Sequence, residues 1–255
     1  MTHFTLVDYL IASGSGVAAG LINAIAGGGT LVSFPALVAI GVSPVAANIT
    51  NIIALVPGYF SGTYAQRSDL AQESGRLRHL ASFAAAGGLL GSVLLVNVSA
   101  NLFRNVVPFL ILVCCALLLA QNKLRALVGA HTGAGEADGQ SSLGLRLGIF
   151  LCCIYGGFFG AGLGIMLLAV LGLFVDATLP RLNAVKQALS VIVGVLAGSF
   201  LLFSPHVVWS LAAALAVSSL IGGIVGGRLV HRVNARALRV VVVIFGTLVA
   251  FRYWL

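Results

Sequence analysis

Lys186 is the residue whose type and position most constrain the chemistry of this chain. It lies about six residues inside an apolar run, 181–203, roughly 9 Å along a helix that rises 1.5 Å per residue. A cation at that depth in hydrocarbon is costly even on lenient insertion scales. The acids Asp8 and Asp176 fall at the ends of other runs, so a bound anion is the expected counter-charge. The alternatives are snorkelling to the interface or pairing with Asp176. Amides accompany the lysine: Asn183 and Gln187 in the same run, Asn48 and Asn51 in the run 45–66. Residues three apart share a helix face, so Asn48 projects with Asn51, and Asn183 with Lys186. Ser190, one turn further on, either lines that face or bonds to its own helix backbone.

Two glycine clusters add backbone donors. Gly27, Gly28 and Gly29 precede Thr30, and Gly162 and Gly164 flank Leu163. Glycine permits a sharp reversal and leaves N–H groups uncovered. A helix starting at Thr30 or Ile165 would aim its positive end into the same space, which suits an anion. The competing reading is that these glycines only allow close helix packing. Asn23, just before the first turn, either orients that loop or touches the ligand. Gly27, Gly28, Gly29, Thr30, Asn48, Asn51, Gly162, Gly164, Asn183, Lys186 and Gln187 form the candidate binding set. No His, Asp or Glu lies near either turn, so no catalytic residues, metal site or cofactor is expected. A cation carrier would be expected to place carboxylates along its path. No nucleotide-binding loop appears.

These residues need positioning elements, and composition says which kind. Hydrophobic residues make up 60% of the 255 positions, charged residues 8%, and mean hydropathy is +1.10. So few charges cannot keep the surface of a soluble domain of this length wet. Apolar runs at about 7–26, 30–40, 45–66, 79–97, 102–121, 146–161, 163–175, 181–203, 207–227 and 238–254 predict an all-α, polytopic membrane bundle of about ten segments. The runs 30–40 and 163–175 are too short to span comfortably, and each follows a glycine cluster. Cys114-Cys115 and Cys152-Cys153 sit inside apolar runs and read as small hydrophobes. The excess of 14 Lys and Arg over 6 Asp and Glu reads as loop charge that orients a membrane chain, not as a nucleic-acid surface.

The second half of the chain repeats the first at an offset of 135. Asn48 falls on Asn183, Asn51 on Lys186, Gly87-Gly88 on Gly222-Gly223, Gly91 on Gly226 and Arg104 on Arg239. A constant offset across five segments indicates duplication. Loop charges then set orientation. Arg67, Arg76 and Arg78 follow the third segment, whereas Ser204–His206 in the matching loop holds no Lys or Arg. The next pair reverses this: 98–104 has only Arg104, while 228–239 holds Arg228, Arg232, Arg236 and Arg239. With the rich loops in the cytoplasm, the halves 1–121 and 146–255 are expected to be inverted, each opening with a glycine-turn hairpin. The Gly-, Ala- and Ser-rich stretch 122–145 is expected to join them as a flexible cytoplasmic linker. Gly87/Gly91, Gly222/Gly226 and Gly223/Gly227 read as helix-packing pairs.

The motifs carry a resemblance. Gly20–Pro35 reads GLINAIAGGGTLVSFP and continues to Ala47–Asn51, ANITN. Tyr155–Gly164 reads YGGFFGAGLG and is followed by Arg181–Gln187, RLNAVKQ. Across nearly the whole chain this resembles the sulfite exporter TauE/SafE family. The resemblance implies export of sulfite, sulfoacetate or related organosulfur anions across the bacterial inner membrane. It carries the glycine turns, Asn48, Asn51, Asn183 and Lys186 as pathway residues; Gln187 stands where many relatives are expected to have asparagine. A small anion and the lipid bilayer are the expected partners, nucleic acid is not, and self-association stays open. An anion channel, or a carrier for another small anion such as a carboxylate, would share the composition.

Overall fold

The computed structural model describes residues 4–25, 27–131 and 142–229, with 240, 243, 244, 247 and 248 beyond them. The run 238–254 and the basic loop from 230 otherwise lie outside the described residues. Ten helices follow one another among the described residues, with no strand: α1 (Leu6–Ile25), α2 (Thr30–Ala39), α3 (Pro44–Ala65), α4 (Arg67–Ala71), α5 (Ser74–Asn97), α6 (Ala100–His131), α7 (Leu143–Phe158), α8 (Leu163–Phe174), α9 (Leu179–Leu201) and α10 (Trp209–Leu229). Of these, α1, α3, α5, α9 and α10 are long and apolar enough to cross a bilayer, while α2, α7 and α8 are short apolar helices. Two differences from the sequence reading stand out. The Arg67 loop contains the single-turn helix α4, and α6 runs on to His131, so the stretch expected as linker begins as helix.

The starts of α3 and α9 follow from their chemistry. Ser43 and Thr178 occupy N-cap positions in extended conformation, with a proline in the first two helical positions; proline has no N–H to orphan there and its φ suits a helix. Neither hydroxyl makes a capping bond. The two helices run antiparallel through the centre. Ser43 and Pro44 at the start of α3 share an outer cavity with Phe203 and Ser204 past the end of α9. At the other end Asn183 of α9 reaches Gln66, which follows α3.

Small residues let the backbones touch. α1 packs chiefly on α10, and α7 on α5. A Cβ on Gly87 would stand 2.6 Å from Phe150 O, and one on Gly91 would overlap Ile154 O. On the other side, Cβ atoms on Gly222 and Gly226 would collide with Val17 O and Leu21 O. Helix packing is therefore the role of these glycines. Ser61 and Ser219 reinforce it, their hydroxyls donating across helices to Leu220 O (2.9 Å) and Ala54 O (3.0 Å). Cys114, Cys115, Cys152 and Cys153 are buried and unbridged.

One correction concerns register. The offset of 135 carries the start of α3 onto that of α9 (Pro44, Leu179) and of α5 onto α10 (Ser74, Trp209). The first two helices of each half are instead related by 133: Ile25 ends α1 and Phe158 ends α7, and Thr30 and Leu163 begin α2 and α8. The glycine contacts repeat 133, since Gly222 meets Val17 where Gly87 meets Phe150, and Gly226 meets Leu21 where Gly91 meets Ile154. Gly27–Gly29 thus corresponds to Gly160–Gly162, not to Gly162–Gly164. The physical reason is that α8 has 12 residues and α2 has 10.

Candidate substrate-binding site

The chain reverses between α1 and α2 through positive φ at Gly27 (73°) and Gly28 (126°), and between α7 and α8 through Gly160 (77°) and Gly162 (76°). A side chain would be strained at all four. Asn23 organises the first turn: its Oδ1 accepts from Gly28 N (3.0 Å) and Gly29 N (2.7 Å), while Gly27 N donates to Ile22 O (3.0 Å). Asn23 therefore takes the orienting role, and the N–H groups of Gly27, Gly28 and Gly29 are used inside the loop, contrary to the expectation of free donors.

The first turn touches the start of α8. A Cβ on Gly27 would lie 2.8 Å from Gly164 Cα and C. Lys186 passes over the same point, its Cδ 3.2 Å from where a Cβ on Gly164 would stand. The lysine is fully buried at 0% exposure, so it does not snorkel, and Asp176 is exposed. Its Nζ donates to Asn23 O at 2.9 Å. That carbonyl belongs to the last turn of α1, where the helix dipole presents negative partial charge.

The paired asparagines do something the sequence did not disclose. Asn183 Nδ2 donates to Ala24 O (3.0 Å) at the end of α1 and to Gln66 Oε1 (2.6 Å). Asn48 Nδ2 donates to Phe158 O (2.8 Å), the last residue of α7. Each central helix thus ties down the end of the other half's first helix. Both hydrogens of the Asn183 NH2 are used, and one of the two on Asn48; Oδ1 of each is buried and without a hydrogen-bond partner. Asn183 therefore keeps no amide hydrogen for an anion, while Asn48 keeps one. Asn51 and Gln187 are 0% and 1% exposed, and neither amide has a partner on its nitrogen or oxygen. Gln187 lies against Gly62, where only a missing side chain leaves room.

A cavity of about 10 Å³ is lined by Thr30, Tyr59, Ser190 and Gly160, among others, enough for about one water. Ser190 also donates to Lys186 O at 2.9 Å, so it both lines this cavity and bonds to its own helix. Among the described residues no three His, Cys, Asp or Glu side chains gather as metal ligands.

A family model for the sulfite exporter TauE/SafE proteins matches residues 12–253. The chain belongs to this family. It is a membrane transporter of the TauE/SafE group, and its apolar helices make it multi-pass. A Haemophilus influenzae protein named "Probable membrane transporter protein" is 28% identical over 235 residues, covering 90% of this chain and 88% of its own length. The Escherichia coli K12 protein "Probable membrane transporter protein YfcA" is 29% identical over 234 residues, 89% and 82% of the two chains. A Sinorhizobium protein, "Probable membrane transporter protein ORF9", is 28% identical over 243 residues, 92% and 87%. No solved structure matches.

Two residues of this TauE/SafE transporter's site escape sequence reading. Gln66 is 3% exposed and holds Asn183, but it adjoins Arg67 and reads as the start of a charged loop. Tyr59 is buried and interacts with Thr30 and Asn23; the signal was its place two turns past Asn51 on the same central helix. Toward the end of the bundle where α3 starts and α9 ends, a second cavity of about 620 Å³ opens, with Arg104, Asn101 and His206 at its edge and Ile49 in its lining.

Proposed function

We propose that the chain is a secondary carrier exporting a small sulfite-type or organosulfur anion across the bacterial inner membrane by alternating access between two inverted halves, 1–121 and 146–255, joined on the cytoplasmic side by 122–145. The observation that carries this reading is the direct meeting of the Gly27 turn with Gly164 at the start of α8, beneath the buried Lys186. Antiparallel α3 and α9, and the matched packing of α1 on α10 and α7 on α5, support inversion. Lys186 supplies charge. Thr30, Tyr59 and Ser190 supply hydroxyls, and Asn51 and Gln187 supply the amide groups that have no other partner. Asn48 and Asn183 hold the helix ends that frame the site. The cavity beside Thr30, Tyr59 and Ser190, at about 10 Å³, is too small for a sulfite-sized anion, which favours a carrier over a channel, since the anion needs a rearrangement to enter it.

The test is binding of sulfite, sulfoacetate, sulfate and a carboxylate to purified protein. Lys186→Gln is expected to weaken the preferred anion by about tenfold or more, the equivalent of about 1.4 kcal/mol, while the protein still purifies folded. Unchanged affinity in that variant removes Lys186 from the site.

A further inference from the structure

The two halves treat their equivalent helix ends differently, and the difference has the shape of a missing charge. At the end of α1, Asn183 donates to Ala24 O and the Lys186 ammonium donates to Asn23 O. At the end of α7, Asn48 donates to Phe158 O, one residue beyond the equivalent of Ala24, but the residue equivalent to Lys186 is Asn51, which carries no charge. Oxygens accumulate there. Phe159 N and Gly160 N both turn back to Tyr155 O, so neither caps the carbonyls of Gly156 and Gly157 in the last turn of α7. Asn48 Oδ1, on the residue that holds Phe158 O, is buried without a partner, and so is Asn51 Oδ1 about one helical turn along the same face of α3. The Asn48 oxygen cannot be exchanged for nitrogen by an amide flip, because its NH2 is held by Phe158 O.

From this asymmetry we propose that the end of α7, with Asn48 and Asn51, is a site for a small monovalent cation that plays in the first half the part the Lys186 ammonium plays in the second. Carbonyl and carboxamide oxygens at the negative end of a helix suit a hard cation, and helix C-terminal ends take that role in other carriers built from repeats. No carboxylate belongs to the set, so one positive charge, not two, is matched. Carbonyls and amides do not take up protons in the physiological range, so the ligand is an alkali-metal cation and not a proton. The proposal uses the correspondence between the halves but not the identity of the transported anion.

Binding of radioactive sodium to the purified full chain, in choline gluconate and without any sulfur anion, tests it directly. Wild type is expected to bind sodium saturably, with displacement by unlabelled sodium or lithium. Asn51→Lys places a second ammonium at the equivalent position and is expected to abolish sodium binding while its melting temperature in sodium-free buffer is unchanged or raised. Asn51→Leu is expected to reduce binding without supplying the charge. Absence of saturable sodium binding to folded wild type, or sodium binding that survives both substitutions, overturns the proposal. Loss of anion affinity in Lys186→Gln alongside intact sodium binding separates this site from the anion site.

Discussion

Gly164→Ala isolates the contact between the first glycine turn and the start of α8. Gly164 has no positive φ, so alanine brings no backbone strain of its own, and whatever it does comes from space. Its Cβ would stand 2.9 Å from Gly27 Cα and 3.2 Å from Lys186 Cδ. The lysine stem can shift by a few tenths of an ångström; the Gly27 backbone is fixed by the bonds of Ile22 and Asn23 to its loop. Overpacking of this kind costs about 1–3 kcal/mol, which is about 5- to 150-fold in an equilibrium constant. The variant is therefore expected to melt lower in detergent and, because the strain falls between the first turn and Lys186, to bind the anion more weakly by a factor within that range. Gly14→Ala is the control: nothing lies within 4 Å of its Cβ position in the middle of α1, so it is expected to be neutral or to stabilise by up to about 1 kcal/mol. Melting temperature by fluorescence and anion affinity by calorimetry, read on both variants, decide the matter. Wild-type stability and affinity in Gly164→Ala would refute the meeting of the first turn with α8.

The role of Asn23 predicts a different signature. Asn23→Ala orphans the buried N–H groups of Gly28 and Gly29 and is expected to destabilise by about 1–3 kcal/mol for each, whereas Asn23→Asp keeps the acceptor and should retain most of the stability; thermal unfolding of the two variants checks this. Inversion is tested by labelling: cysteine at Ser74, beside the buried Glu73–Arg76 ion pair, is expected to react with an impermeant maleimide only from the cytoplasm. Cysteine at Phe203, which is 89% exposed, should react only from the other side. Reaction of both from one side would refute the orientation.

Most of the architecture was legible because apolar run length and glycine spacing act locally. Eight of the first nine apolar runs needed only end adjustments to become helices, whereas α6 ran on past 121, where no proline stands between Gln121 and His131 and Leu124, Arg125, Ala126 and Leu127 favour helix. The burial of the candidate residues was legible, and what their amides bond to was not. Residue type and i, i+3 spacing place Asn48, Asn51, Asn183, Lys186 and Gln187 in the core, where they are found. What an amide does with its two ends depends on which partner reaches it across more than a hundred positions, as Phe158 reaches Asn48 and Ala24 reaches Asn183. The repeat could have exposed this earlier. If two equivalent asparagines each hold the end of the opposite half's first helix, the residue three positions on decides what that end lacks. Lysine places a charge at one end and asparagine places none at the other, so the departure from internal symmetry, more than the symmetry itself, is where the proposed cation site falls.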